Sequence, residues 1–478
     1  MKKLISIILT LVIILGLCAC GGNGGGSEQG GSDSSTGLQV GFGREKMMPK
    51  TEVALSGGED PNKISTGYLD ILYATCLAFT DKTDTTALVL TLDMTTINAH
   101  FADPAKEEIS KATGVPVENI MFCATHTHSS PAQDLSYKGI KEFHEVYIDA
   151  TVKAAQAAMA DRSPAEISIG STNAEGLVFV RHYELSNGTY AGSSFGDFNS
   201  GTIVGHAYES DDEVQLVKFT RAAEDKKDIV MMNTGVHATF VNSDGTTTKN
   251  ISADFPGHAR SYVEEQTDCH VAYFIAAGGD QTGNSKIKEL DPNLRYDEYG
   301  KAIGKVVVDA LPNLKPIEYG DIKFSQKTFV ADVNKPDPAL LEGAKLVADM
   351  FASSGEAAAA PLVAQYGFQS VYEAKAVVRK SAMEDTKDYG MNAMSIGELS
   401  FIFASIEMFS TNGRYIKDNT PYDMTFVITC CNASNSYVAN EKAYGYKSYE
   451  SYAGAAVPGT GEKFAEEFVE MLKELKAQ

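Results

Sequence analysis

The sequence predicts an α/β (α+β) fold with a single large domain, residues 38–478, in which mixed β-sheets are flanked by helices. Short apolar runs rich in β-branched residues alternate with helical patterns throughout this region. Polar residues repeatedly follow the apolar runs directly, as they do at the strand ends of α/β proteins. The hydrophobic content of 43% is ordinary for a globular protein and supplies enough apolar residues for one large core.

The first half of the domain alternates predicted strands and helices. Asp103 is a favourable N-cap and Pro104 suits a first helical turn, so a helix is predicted from Asp103 to Lys111. The neighbouring elements are predicted strands at 87–93, 119–124 and 165–169 and an alanine-rich helix at 147–159.

The second half repeats this alternation and ends in an amphipathic helix. Residues 336–380 are rich in alanine and indicate a helical insertion or lid. In a closing helix at 461–477, apolar residues recur at the spacing of one buried face. The other elements are predicted strands at 229–234, 270–275, 399–404 and 424–429 and a helix at 257–266.

The N-terminal residues are predicted to direct export. Lys2 and Lys3 precede an almost continuously apolar run at 4–17, which is typical of a secretory signal peptide. The run ends in Leu-Cys-Ala-Cys at 17–20, which looks like a bacterial lipobox. This resemblance implies a signal peptide at 1–19 and a lipid on Cys20.

A flexible linker is predicted to follow the lipidated cysteine, because residues 20–37 are dominated by glycine and serine. The expected location is the extracytoplasmic face of a bacterial cell membrane, with the lipid on Cys20 as anchor. The alternative is a secreted protein cut after Ala19.

The charge balance excludes some partners. A formal net charge of −22 argues against nucleic-acid binding, which selects basic surfaces. It equally disfavours electrostatic docking on anionic lipid, so the lipid anchor is predicted to hold the membrane.

Five cysteines lie in the domain, and none has the spacing of a structural zinc finger. Cys430 and Cys431 are adjacent in an apolar run, so we interpret them as buried thiols rather than disulfide partners. An exported chain could still form one disulfide, whose partners the sequence leaves open.

Two histidines at a predicted strand end are the first candidates for a site. If the strand geometry continues, alternation places His126 and His128 on one face, where imidazole nitrogens are suited to zinc. The pair alone is more often unrelated to metal. His237 and Glu407 also follow apolar runs, although a core histidine and a helix N-terminal charge are equally good interpretations of these two.

These segments together resemble the neutral/alkaline, non-lysosomal ceramidase family. The family's histidine motif, ATHTHSGP, corresponds to residues 124–131, which read ATHTHSSP. The resemblance covers most of residues 38–478. The other matching segments follow in the family's order, at 40–44, 181–183 with 187–189, 252–257, Glu407 with 411–414, and 432–438.

The resemblance implies a site and a chemistry. It implies a Zn²⁺ ion held by a set of four ligands, namely His126, His237, Glu407 and Tyr437. His128 is then implied as general acid/base or hydrogen-bond donor, and Arg181 as the contact of the substrate carbonyl or oxyanion. Zinc with an open position lowers the pKa of bound water towards 7, which suits hydrolysis of an amide.

Three departures from the family's pattern bear on this expectation. The family's GDVSPN segment, whose serine has an assigned active-site role, reads GDQTGN at 279–284, so Asp280 and Thr282 are the remaining catalytic candidates. Thr282 keeps a hydroxyl, but its branched side chain favours the water mechanism over a covalent one. Ser130 replaces the histidine motif's glycine and is expected to occupy space near the site. The chain is also expected to lack a C-terminal immunoglobulin-like domain.

The sequence therefore favours a zinc-dependent amidase acting on a ceramide-like lipid or another amide of the cell envelope. The alternatives are a zinc esterase or other hydrolase acting on a non-lipid substrate, and a substrate-binding lipoprotein without turnover. Survival of all four expected ligand types favours an enzyme, because a binding protein need not keep them.

Overall fold

Two β-sheets that share one hydrophobic core organise the fold. The computed structural model describes residues 37–57, 62–243, 249–433 and 436–478. The strands, in chain order, are β1 Gln39–Lys46, β2 Gly67–Tyr68, β3 Tyr73–Thr80, β4 Thr86–Leu92, β5 Ile120–Ala124, β6 Ser163–Asn173, β7 Phe179–Val180, β8 His182–Leu185, β9 Tyr190–Gly192, β10 Ile203–His206, β11 Glu213–Arg221, β12 Ile229–Thr234, β13 Asn250–Ile251, β14 His270–Ile275, β15 Gln281–Thr282, β16 Lys315–Ile317, β17 Ile322–Asp332, β18 Thr386–Ile396, β19 Leu399–Ala404, β20 Glu407–Met408, β21 Met424–Ile428 and β22 Tyr437–Val438.

Helices connect and cover these strands. In chain order they are α1 Ala99–Thr113, α2 Ile140–Ala160, α3 Phe240–Ser243, α4 Asp254–Thr267, α5 Tyr296–Ala310, α6 Leu341–Ser354, α7 Glu356–Tyr366, α8 Val371–Ser381, α9 Ser410–Asn419, α10 Glu441–Gly445, α11 Tyr449–Ala453 and α12 Thr460–Ala477.

Both large sheets are mixed. Within the described residues the larger sheet has the order β14-β12-β11-β6-β1-β3-β4-β5, with β16 pairing β6, and the smaller has the order β17-β18-β19-β21. Most neighbours are antiparallel, but β4/β5, β12/β14 and β19/β21 are parallel. The parallel pairs matter because their carboxyl ends lie at one edge, where α/β proteins place their sites.

The layers follow from side-chain alternation along the strands. In β4, Val89 points towards the smaller sheet and packs in one cluster with Phe401 of β19 and Phe426 of β21. Leu90, the next residue of β4, packs instead with Phe101 of α1 and Tyr147 of α2. Successive side chains of a strand point to opposite faces of the sheet. A strand that is apolar throughout therefore contributes side chains to the hydrophobic clusters on both faces. Each fully buried phenylalanine contributes about 1.5–3 kcal/mol relative to exposure.

The outer face of the smaller sheet is covered by the C-terminal helix. Phe464, Phe468 and Leu472 of α12 pack with Ile402 of β19 and Val427 of β21. The order helix, sheet, sheet, helix confirms the predicted fold class of mixed sheets flanked by helices.

Three observed helices begin several residues earlier than predicted, among them α2 at Ile140 instead of Tyr147 and α4 at Asp254 instead of Gly257. The helix predicted from Asp103 begins at Ala99, and Pro104 lies inside α1 rather than in its first turn. Proline cannot donate to the carbonyl four residues earlier. The helix nevertheless continues through it, because Phe101, Ala105 and Ile109 bury one face of α1. The predicted helical region 336–380 corresponds to α6, α7 and α8, the last of which ends one residue later, at Ser381.

The predicted signal peptide, Cys20 and nearly all of the linker lie outside the described residues. Among the residues that are described, no helix combines the length and apolar character that crossing a bilayer requires.

Candidate metal centre

Four chain segments bring the predicted ligands together at the carboxyl ends of the parallel strands. His126 lies just beyond β5 and His237 just beyond β12. Glu407 and Tyr437 lie in the short parallel pair β20/β22, where they are direct register partners. The structure therefore collects residues that are far apart in the sequence around one point.

The two histidines of the first segment converge for a reason other than strand alternation. β5 ends at Ala124, and His126 has a φ of 66°, so the extended conformation does not continue. The backbone N–H of His126 donates to the Met94 carbonyl at 2.9 Å, and that of His128 donates to the Ala238 carbonyl at 3.0 Å. This fixed turn brings the two Nε2 atoms to 3.3 Å from each other. The predicted convergence is observed, but its basis in strand geometry is wrong.

Backbone carbonyls orient the two histidines that are predicted as ligands. His126 Nδ1 lies 2.6 Å from the Thr95 carbonyl oxygen, and His237 Nδ1 lies 2.8 Å from that of Gly278. An Nδ1–H that donates to a carbonyl leaves the Nε2 lone pair free to face the centre. This tautomer is the one that a metal ligand requires.

The Glu407 carboxylate shows most clearly that the residues of the centre fit a cation. Its Oε2 atom lies 3.3 Å from Nε2 of both His126 and His237. Yet this buried oxygen has no hydrogen-bond partner of acceptable geometry within the described part of the chain. A buried carboxylate oxygen without a hydrogen bond is costly, and a cation between these three atoms would remove that cost. The donor set of two imidazoles and a carboxylate fits a divalent metal such as zinc.

The electrostatics of the centre favour the ligand forms of most of these groups. Burial, together with the charges of Arg181 and His126, lowers the pKa of His237 to about 4. Burial and the neighbouring His126 and His237 also lower the pKa of His128 well below its usual value. Burial alone would raise the pKa of Glu407, but His126 and His237 hold it well below its usual value. At neutral pH His128 and His237 are thus neutral imidazoles, and Glu407 is an ionised carboxylate.

His126 is shifted in the opposite direction. Burial lowers the pKa of His126, but the neighbouring Cys430 and Glu407 raise it by more. The net shift of the pKa is therefore upward. Cys430 was not identified as a site residue from the sequence, and its Sγ lies 3.6 Å from His126 Nδ1. A cation at Nε2 would take the place of the proton that Glu407 favours.

Tyr437 and His128 complete the group around the centre. The Tyr437 hydroxyl lies 3.2 Å from His237 Nε2, where the ligand implied by the family resemblance was expected. His126, His128 and His237 each have a ring nitrogen within 4.8 Å of the others. His128 is therefore close enough to act either as a third imidazole ligand or as a proton-transfer group beside the metal.

Arg181 lies beside the centre and is held by a residue that sequence reasoning missed. Its guanidinium donates to the Gly279 carbonyl at 2.9 Å and to the Tyr437 hydroxyl at 3.3 Å. It also pairs with the buried carboxylate of Glu450 at 2.6 Å, and Glu450 accepts from His182 at 2.8 Å. In the sequence, Glu450 has the appearance of an ordinary acidic residue in the first turn of a short helix.

Asp280 and Thr282 lie in the segment behind Arg181. The Asp280 carboxylate is buried and accepts from the Ser410 backbone and hydroxyl, both at 2.8 Å, and from Tyr208 at 2.9 Å. Its backbone carbonyl accepts from the Arg181 N–H. Thr282 is in β15, and its hydroxyl accepts from the Asn284 N–H at 3.4 Å. These contacts support the walls of the centre.

Ser130 is a hydrogen-bonded wall residue. Its hydroxyl accepts from the Thr95 N–H at 3.1 Å and also contacts the hydroxyls of Ser56 and Thr95. Because the Thr95 carbonyl orients His126, the Ser130 side chain supports that histidine from behind.

Comparison with known proteins places this centre in a family. The family model of the neutral/alkaline non-lysosomal ceramidase N-terminal domain matches residues 38–295. The chain belongs to this ceramidase family. The matched residues include His126, His128, Arg181 and His237, whereas Glu407 and Tyr437 lie beyond them and join the centre through the fold.

Solved ceramidase structures share the fold of this family member. The structure of a ceramidase complexed with C2 superposes with a TM-score of 0.68 at 16% identity, covering 92% of this chain and 76% of the other. The crystal structure of neutral ceramidase from Pseudomonas aeruginosa gives a TM-score of 0.67 at 16% identity, covering 92% and 75%. No curated protein sequence matches the chain.

Proposed function

We propose that the chain is a zinc-dependent hydrolase that cleaves the amide bond of an N-acylated substrate, either a ceramide-like lipid or another amide of the cell envelope. The observation that carries this proposal is the buried Glu407 oxygen, which lies 3.3 Å from two imidazole nitrogens without a hydrogen-bond partner within the described residues. Membership of the ceramidase family supports the amide bond as the target.

Each residue of the centre has a role in this proposal. His126, His237, Glu407 and Tyr437 would hold the metal. When bound there, zinc would supply a water of lowered pKa and polarise the substrate carbonyl. His128 moves a proton to the leaving amine, for which its position beside His126 Nε2 is suitable.

Arg181 offers a fixed positive charge next to the Tyr437 hydroxyl, where it stabilises negative charge on the carbonyl oxygen. Glu450 holds that guanidinium in place, since its own contacts are with Arg181 and His182. Asp280 and Thr282 keep the adjoining backbone in position, and Thr282 remains a hydrogen-bond donor for the substrate.

Metal analysis tests the proposal most directly. We expect about one zinc per purified chain, lost in His126→Ala and retained in the control His100→Gln, whose side chain is exposed on α1. A well-folded wild-type protein that binds no zinc when the ion is supplied would overturn the metal role.

Substrate class is tested by comparing fluorogenic ceramide, short N-acyl amides and matched esters. We expect zinc-dependent hydrolysis of amides, with His128→Gln inactive but still loaded with metal. Hydrolysis of esters alone would establish the esterase alternative. Zinc binding with no turnover of any of these would favour a substrate-binding lipoprotein.

Membrane attachment is a separate proposal that rests on residues 1–37 of the sequence. We expect the wild-type chain to fractionate with membranes and Cys20→Ser to be released into the soluble exported fraction. Equal membrane association of the two proteins would contradict lipid anchoring at Cys20.

A further inference from the structure

We propose that Cys123 and Cys431 form a disulfide bond in the exported protein. The two residues lie next to the metal centre, since Cys123 is in β5 three residues before His126 and Cys431 follows β21. Both side chains are fully buried, and their Sγ atoms lie 3.4 Å from each other. The proposal assumes export, which is predicted from the N-terminal residues, and does not depend on the metal.

The backbone places the two cysteines in the register that suits a cross-strand disulfide. Cys123 and Cys431 are partners in an isolated antiparallel bridge. The hydrogen bonds flank this pair rather than join it: the Asn432 N–H donates to the Phe122 carbonyl at 2.8 Å, and the Ala124 N–H donates to the Cys430 carbonyl at 3.3 Å. Cys123 and Cys431 are thus a non-hydrogen-bonded pair, a register in which Cα atoms are typically about 4.5 Å apart and side chains are close together. That separation lies inside the range of about 4.4–6.8 Å seen for disulfides.

The remaining cysteines of the described chain have other neighbours. Cys430 Sγ points to His126 Nδ1, at 3.6 Å. Cys76 and Cys269 contact backbone carbonyls close to themselves in sequence, those of Leu77 and Thr267. In the structure all five cysteines of the domain are buried thiols, as interpreted from the sequence for Cys430 and Cys431. Cys123 and Cys431 are the pair whose sulfur atoms are in contact and could be oxidised to a disulfide.

The chemistry is an ordinary dithiol oxidation. The two thiols lose two protons and two electrons, an S–S bond forms, and an external protein or small-molecule disulfide accepts the electrons and is reduced to two thiols. Because both sulfurs are buried in the finished fold, the bond forms while the chain is folding after export.

The bond would fasten two parts of the metal centre. It joins the strand that leads to His126 to the segment that leads from β21 to Tyr437, and the partners are 308 positions apart in the sequence. Closing so long a loop removes much entropy from the unfolded chain. We therefore expect the disulfide to hold the ligand-bearing segments in register.

Peptide mapping tests the bond. The full chain is expressed in a bacterial host that exports lipoproteins, extracted in denaturant with N-ethylmaleimide and without reductant, and digested with trypsin. We expect the peptide 112–138, which contains Cys123, to be linked to the peptide 418–442, while Cys76 and Cys269 carry the label. Recovery of both peptides in alkylated, unlinked form would overturn the proposal.

Single variants assign the partner, because the peptide 418–442 contains both Cys430 and Cys431. The link should persist in Cys430→Ser and vanish in Cys431→Ser; the opposite pattern would contradict the pairing. Unfolding the wild-type chain and refolding it in a glutathione buffer rich in the disulfide form should give the same link, whatever the host does.

A chelator assay measures the consequence of the bond. The linked protein should lose metal several-fold more slowly than Cys431→Ser. The chelator assay depends on the proposed metal centre, whereas the peptide map does not. A failure of the disulfide proposal can therefore be distinguished from a failure of the zinc proposal.

Discussion

Two neighbouring strand ends of the larger sheet carry buried charges that are satisfied in different ways. Asp93 follows β4, and both of its oxygens accept from Arg260 at 2.7 Å, while one also accepts from the Tyr73 N–H at 2.9 Å. The other end is that of β5, beyond which His126 faces Glu407. There the carboxylate Oε2 meets two imidazole nitrogens and accepts no well-formed hydrogen bond within the described chain.

The difference separates a structural ion pair from a site built for a ligand. At Asp93 the protein supplies every partner itself, so removing one leaves an unpaired buried charge. At Glu407 the Oε2 atom lies 3.3 Å from two imidazole nitrogens, but within the described residues it accepts no hydrogen bond. A cation bound to these three groups would balance the carboxylate charge and stabilise the arrangement. The comparison can be tested by changing one residue at a time in each region.

The largest effect is expected for Glu407→Gln. The variant loses a charged ligand, so its activity should fall by at least about 10²-fold, because even outer partners of metal ligands are worth about 10–100-fold. Zinc content should fall with activity, whereas the stability of the metal-free protein should stay the same or rise. Zinc titration and urea unfolding in the presence of a chelator measure both. A variant that keeps its zinc and most of its activity would remove Glu407 from the metal shell.

The next largest effect is expected for Arg260→Met, and on stability rather than on metal binding. Breaking a buried pair leaves Asp93 unpaired and should lower the free energy of unfolding by about 3–5 kcal/mol. Arg295→Met is the matched control, because Arg295 pairs with Asp297 at the surface and is 71% exposed; little change is expected there. Equal urea midpoints for the two variants would show that burial does not distinguish these pairs.

A smaller loss is expected for Glu450→Gln. Glu450 positions Arg181, so kcat should fall by about 10–100-fold while zinc content is unchanged. The control is Glu441→Gln. Glu441 is an exposed glutamate at the start of α10, the helix that precedes the one carrying Glu450. Steady-state kinetics and metal analysis on the same samples check this, and loss of zinc in Glu450→Gln would assign Glu450 a structural role instead.

The last expected effect is a pH dependence of the stability of the metal-free protein. The folded state holds the pKa of His237 at about 4, below the ordinary value of 6.5. Between these values the unfolded chain binds the proton more strongly, so stability rises with pH in this window and is lost as pH falls from about 6.5 towards 4.

Chelator-treated wild type and His237→Asn should therefore differ in the slope of unfolding free energy against pH only inside that window. The variant should have the shallower slope, since it lacks the titrating imidazole. Parallel curves from pH 7 to pH 4 would contradict a depressed pKa at this position.

The strand pattern predicted most of the fold because apolar runs are local signals. The strands predicted at 229–234, 270–275 and 399–404 are observed with those bounds. The start of α1 was missed because packing of Phe101 and Ile109 overrides the local preference of Pro104 for a first turn. Local propensity is a weak guide where a helix face is buried.

The candidate site could be predicted only in part from the sequence. His126 and His128 stand out in the sequence. Their convergence, however, depends on the left-handed backbone of His126 just beyond β5, which strand alternation does not predict. Nothing in the local sequence around Glu450 or Cys430 indicated that either residue belongs to the site. They become part of the centre through contacts with Arg181 and His126 that span long stretches of chain.

The sequence by itself determined the alternation of elements, the family resemblance and the residue types of the centre, because these depend on local pattern and motif. Only the tertiary structure decided which groups face one another. It placed Glu407 opposite Tyr437, left a buried carboxylate oxygen between two imidazoles and set Cys123 against Cys431. Distances between groups hundreds of residues apart depend on sheet order and register, which no local pattern encodes.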